Sequence, residues 1–311
     1  MGKHLKKKKK IKVKNPKRPL ILILLIIILL AIVVINNNSI KNKKENSIIV
    51  NNEDVTNKLE NEIIINDNIV YLSINDIKKC LDPNIYQEDK KIITSSDKKI
   101  AVIELDSDNI EINGSTVQIK GQVFQTEQET IYLPISELQN VYDIELEYIE
   151  EYKNIVIDEL SKRLEKAYVT KNLLIKEERK NFSSNIEKVN KGNWVVYVSE
   201  EKGWAKVRTQ NGNLGYVKKK NLTNFVIQRE ELEQENKNWE DASYEKNITK
   251  SNIKKYEDRK KVIEQILQEA VKQNERIVKI TYEKDAEAEE FSRFKIEATA
   301  ILKECGITVV F

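Results

Sequence analysis

The 311-residue chain is poor in the residues that most simple enzymes lean on: it has one histidine, two cysteines and one methionine. The histidine, His4, sits in a lysine run at the N-terminus. A histidine-based metal site, a Ser-His-Asp triad or a Cys-His nucleophile is therefore unavailable to the rest of the chain. Cys80 and Cys305 fall in different expected domains, and nothing in the sequence argues for a disulfide between them. Both read as ordinary semi-buried thiols.

Acidic residues are missing ahead of Leu20, where Lys3, Lys6 to Lys10, Lys12, Lys14, Lys17 and Arg18 are found. From Leu20 to Ile35 every residue is apolar. As a helix this run spans roughly 24 Å, a little less than a ~30 Å hydrocarbon core, and snorkelling lysines close such a gap. The charge asymmetry predicts an N-terminus on the cytoplasmic side. Ala31 is followed by Ile32, Val33, Val34 and Ile35 rather than by small residues suited to cleavage, so an uncleaved signal anchor is favoured over a removed signal peptide. The expectation is a single-pass protein of the cell membrane, held through Leu20 to Ile35, with its C-terminal domains outside the cytoplasm. Without the ten basic residues of the stub, 43 Lys and Arg remain against 50 Asp and Glu, a mildly acidic balance. Nothing in that balance calls for nucleic acid.

Lys41 to Leu59 is rich in Asn, Lys, Glu and Ser without periodicity and reads as a solvated linker. Beyond it an internal repeat emerges: Tyr71-Leu72-Ser73-Ile74-Asn75-Asp76-Ile77 matches Tyr132-Leu133-Pro134-Ile135-Ser136-Glu137-Leu138, and Asp82 then matches Asp143. Each copy reads strand, short helix, strand, strand, and Asn113-Gly114 marks a hairpin. The duplicated unit is expected to pack as one small α+β domain over 61–160. Its "YLPI" and "NG" signatures resemble the copper amine oxidase N-terminal-like domain, a stalk of exported proteins of low-GC Gram-positive bacteria. That resemblance implies a spacer or scaffold and no copper.

Over 165–225, short β segments carry Lys191-Gly192, Val195 to Val198, Gly203-Trp204-Ala205-Lys206-Val207-Arg208 and Gly212-Asn213-Leu214-Gly215-Tyr216-Val217. These residues resemble a bacterial SH3-like domain, an all-β barrel common in exported cell-wall proteins. Alternation along Ala205, Val207 and Thr209 places one face inward. Trp204 and Tyr216 then either line a groove for cell-wall glycan or a peptide stem, with Arg208 as a third contact, or plug the barrel core.

Residues 226–252 read as a charged linker or helix, and 253–311 as helix, strand, helix, strand: an α/β fragment. Arg259-Lys260-Lys261-Val262-Ile263-Glu264-Gln265-Ile266 and Phe291-Ser292-Arg293-Phe294, in this order of parts, resemble the membrane-anchored family-18 glycoside hydrolases of clostridia. The resemblance implies a piece of a βα-barrel around its fourth strand. A whole barrel of that type needs about 250 residues, more than follow the SH3-like segment. That family carries Asp-Gly-x-x-x-Asp-x-Glu at the end of the strand. Laid without a gap, the motif falls on Arg276 to Glu283, and only the glutamate, Glu283, survives. The expected product is a truncated, non-catalytic relative with no catalytic residues, metal or cofactor. Its expected fold is multidomain: a transmembrane helix over 20–35 after a basic stub (1–19), a linker (36–60), an α+β stalk, an SH3-like barrel and the barrel fragment.

Overall fold

The computed structural model describes residues 45–96, 99–231, 244–282 and 289–311. The expectation of a signal-anchored, single-pass membrane protein is corrected here: no helix among the described residues is long and apolar enough to cross a membrane. Leu20 to Ile35 itself lies outside the described residues. The expected fold class is also corrected, because most of the described secondary structure is β-sheet, spread over several sheets.

The first unit contains β1 (Ser47–Val50), β2 (Glu53–Asp54), β3 (Ile64–Asn66), β4 (Ile69–Ser73), α1 (Ile74–Cys80), β5 (Tyr86–Glu88), β6 (Lys91–Ser95), β7 (Ile100–Glu104), β8 (Asn109–Ile112) and β9 (Ser115–Gln118). It continues through β10 (Phe124–Gln125), β11 (Ile131–Pro134), α2 (Gln139–Tyr142), β12 (Ile144–Ile149) and β13 (Asn154–Glu159). β1 lies where a linker was expected. It runs parallel to β13, with Ser47 opposite Asn154 and Val50 opposite Ile157, and all four of its residues are buried. A strand covered on both faces has no alternation to betray it, which is why it hid among polar neighbours.

The two repeat copies meet on a local two-fold axis. β4 and β11 pair antiparallel with Leu72 opposite Leu133, Tyr71 opposite Pro134 and Ser73 opposite Tyr132. Leu72 therefore faces its own counterpart while Tyr71 and Ser73 each face the counterpart of the other, and the sheet order β10-β11-β4-β3 is symmetric about that pair. The copies diverge at the helix. Ser73 caps α1 by accepting from the Asp76 backbone N–H at 3.1 Å. Pro134 stands in its place and offers no side-chain cap, and there the chain makes a 3-10 turn before the single turn of α2. β5 to β9 form an antiparallel meander whose last hairpin turns on Asn113 and Gly114, both at positive φ.

The second unit is a seven-stranded sheet, made of β14 (Leu164–Val169), β15 (Leu173–Lys176), β16 (Asn185–Val189), β17 (Trp194–Glu201), β18 (Trp204–Arg208), β19 (Leu214–Lys218) and β20 (Leu222–Arg229). Its core includes Ala167, Val169, Ile175, Val195, Ala205, Val207 and Val217.

The third unit is β21 (Tyr244–Ile248), α3 (Tyr256–Gln273), β22 (Ile277–Tyr282), α4 (Glu289–Glu304) and β23 (Thr308–Val310). Its three strands are parallel in the order β21-β22-β23. β21 was expected as linker or helix. Its sequence, Tyr-Glu-Lys-Asn-Ile, buries only Ile248, so the apolar signal of a strand is almost absent. The helices of this unit pack on the first unit through a buried polar knot. Arg259, fully buried, donates from Nε to both Glu297 oxygens at 3.1 and 2.9 Å and from Nη2 to the Tyr86 hydroxyl at 2.7 Å. Tyr86 in turn donates to Glu297 Oε1 at 2.5 Å. Around the knot Tyr86, Ile93, Ile100 and Val102 of the meander pack with Tyr256 and Ala300. Burial lifts the Glu297 carboxyl above the ordinary glutamate range, while the hydrogen bonds from Arg259 and Tyr86 pull against it. Removing one partner of such a buried pair typically costs about 3–5 kcal/mol, so the knot fixes how the units meet.

Candidate groove on the second unit

β18 and β19 pair antiparallel about the turn at Asn211, which sets Trp204 opposite Lys218, Lys206 opposite Tyr216 and Arg208 opposite Leu214. Ala205, Val207 and Val217 project into the core, so Trp204, Arg208 and Tyr216 all stand on the other face of the ladder. From there they part company.

Trp204 and Tyr216 line one cavity of about 610 Å³, together with Glu177, Glu178, Arg179 and Lys180 from the loop after β15, Glu201 at the end of β17 and Lys202 in the turn that follows it. An ion pair between Arg179 and Glu201 bridges the two rims. The Arg179 guanidinium lies 5.8 Å from the centre of the Tyr216 ring. Trp204 is almost wholly covered: its cross-strand neighbour Lys218 holds its ammonium 3.8 Å from the indole centroid. Tyr216 remains half-buried. Three carboxylates and three cations thus ring two aromatic side chains.

Arg208 is not in this groove. It is buried against the first unit, donating from Nη1 to Asp158 Oδ1 at 2.7 Å and from Nη2 to Asp158 Oδ2 at 2.5 Å. This bidentate pair is one half of a joint between the units. The other half is the turn at Asn211 to Asn213. Asn154 donates from Nδ2 to the Asn211 carbonyl at 2.5 Å and to Asn213 Oδ1 at 3.0 Å, and Ser47 donates to Asn154 Oδ1 at 2.9 Å. Behind the turn the Glu187 carboxylate accepts from Thr209, Asn211 and Asn213 at 2.5 to 2.9 Å.

The groove partners missed in the sequence were Lys218, Arg179 and the acidic rim. The first was within reach, because a hairpin centred on Asn211 sets position 204 opposite 218. The rim comes from two loops whose meeting depends on the whole sheet. Elsewhere, Arg276 is exposed just before β22 and Thr281 is half-buried on it, while Glu283 lies outside the described residues. Among the described residues, no group of three or more His, Cys, Asp or Glu could hold a metal ion. Cys80 and Cys305 are both free thiols. No family model matches the chain, and no curated protein or solved structure matches it significantly.

Proposed function

We propose that the chain is a non-catalytic binding or scaffold protein whose second unit takes a charged peptide segment, of the kind found in cell-wall peptide stems, in the groove at Trp204 and Tyr216. The observation that carries this reading is the outward placement of both aromatics on the β18–β19 ladder, inside one cavity with cations and carboxylates on its rim. A peptide stem presents amines and carboxylates on a short apolar backbone, which suits a site of mixed charge. Glycan fits less well, because a sugar ring stacks on a bare aromatic face and the Trp204 face is already occupied by Lys218. The first and third units, locked to each other and to the groove-bearing sheet, would then serve as a rigid support.

The test is co-sedimentation of the purified chain with purified cell wall, followed by calorimetry with the released stem peptides. Binding that weakens about tenfold in Tyr216→Ala, equivalent to ~1.4 kcal/mol, is the expected result. Sedimentation no greater than that of a control protein removes the proposal, and a preference for peptide-free glycan strands over stem peptides redirects it.

A further inference from the structure

Inside the groove the Trp204 face is taken by Lys218, so a sugar finds no bare aromatic ring there. One stands beside it. Phe182 keeps 82% of its surface in water, more than any other large apolar side chain among the described residues, and its ring has no aromatic or cationic neighbour among them. Single exposed apolar residues are ordinary on protein surfaces. This one differs in how it is held and in what adjoins it.

Phe182 lies on the loop between β15 and β16, closed at its base by the Glu177 N–H, which donates to the Ser184 carbonyl at 3.0 Å. Ser183, the next residue, is pinned back across the loop. Its hydroxyl accepts from the Glu178 N–H at 3.3 Å and lies 3.1 Å from the Lys180 carbonyl and 3.2 Å from that of Glu178, to either of which it can donate. The Ser183 carbonyl accepts from Lys176 Nζ at 3.2 Å. Hydrogen bonds thus fix the backbone beside Phe182 while its ring stays in solvent. A side chain presented in this way loses little freedom when a ligand covers it.

The first limb of the same loop, Glu177 to Lys180, is a rim of the groove. Phe182 follows Lys180 by two residues, no more than about 7 Å of chain. A ligand that leaves the groove over this rim meets the ring. The surroundings of the ring decide which chemistry suits it: Asn181 is exposed, and Ser183 and Ser184 are half-buried. An apolar side chain of a partner would need more apolar neighbours than these to exclude water. A sugar presents a flat C–H face to stack on the ring and a polar edge for an amide and hydroxyls, and this surface offers both.

We infer, resting on the peptide reading of the groove, that the ligand is a glycopeptide: the stem lies in the groove and the sugar that carries it stacks on Phe182.

The experiment is calorimetry on the full chain with two purified probes, a cell-wall disaccharide-tetrapeptide and the same tetrapeptide freed of its sugars. The wild type is expected to bind the first about tenfold more tightly than the second. Phe182→Ser is expected to lose that difference while binding the free peptide as the wild type does, which also shows that the variant is folded. Phe182→Trp is expected to keep the difference, and Tyr216→Ala to weaken both probes alike. Equal affinity of the wild type for the two probes overturns the inference and leaves the peptide groove standing. So does a Phe182→Ser variant that weakens both probes alike or still prefers the glycopeptide. If neither probe binds the wild type, the groove reading falls and the glycopeptide falls with it.

Discussion

At the scale of single residues, burial separates two thiols that look alike in the sequence. Cys80 closes α1 and packs against the core of the first unit, and burial pushes its thiol up to about 11, with the nearby Asp76 adding to the rise. Cys305 is exposed. Because the thiolate is the reactive form, only about a thousandth of Cys80 is ionised at pH 8. Titration of the native protein with a chromogenic disulfide at that pH should therefore show one fast equivalent, lost in Cys305→Ser. The second should appear only on denaturation, and two fast equivalents would show that the Cys80 environment is open. Arg208 teaches the same lesson from another side. Its place on the ladder was legible from the alternation of Ala205 and Val207, yet nothing near it in sequence announces Asp158, 50 residues earlier, which removes it from the groove.

At the scale of elements, the turn between β18 and β19 has two duties: it sets the pairing that positions Trp204 and Tyr216, and it seats against β13. Gly212 serves both, because its φ of +79° is one that L side chains rarely adopt. A Cβ there would also come within 2.8 Å of Val156 Cγ2 and 2.9 Å of Asn154 Cβ. Gly212→Ala is expected to cost about 1–3 kcal/mol in urea unfolding, from backbone strain and overpacking together. A change within ~0.5 kcal/mol would mean that the turn stands off from β13. Hairpins of this kind were the most readable elements. Asn113-Gly114 and the turn at Asn211-Gly212 are specified by residues adjacent in the chain. β1 and β21 were not readable for opposite reasons: one is apolar on both faces, the other polar on nearly all of both, and neither carries a period of two. The repeat, by contrast, announced two equivalent strands but not that they would pair with each other, a long-range outcome fixed by the Leu72–Leu133 register.

At the scale of the whole molecule, the three units are joined by buried polar contacts rather than by linkers alone. The Arg208–Asp158 pair ties the second unit to the first, and the Arg259 knot ties the third to it. The wild type is accordingly expected to melt in one calorimetric transition. Arg208→Ala strands a buried Asp158 carboxylate at a cost of about 3–5 kcal/mol, so an earlier, separate transition for the second unit should appear. A variant that still melts in one transition at the wild-type temperature would show that the joint does not couple the units. The sequence suggested modules strung along a chain because each unit has its own local pattern. Contacts between units depend on pairs such as Tyr86 with Arg259, 173 residues apart, and no local pattern records them.

The ammonium that rests on Trp204 also makes the groove its own reporter. An indole held against a fixed positive charge emits at a wavelength and intensity set by that charge, and any occupant that draws Lys218 away changes both. Of the other tryptophans, Trp194 sits under Lys166 at 3.9 Å and Trp239 lies outside the described residues. With both replaced by phenylalanine, the tryptophan emission of this protein would come from the groove alone.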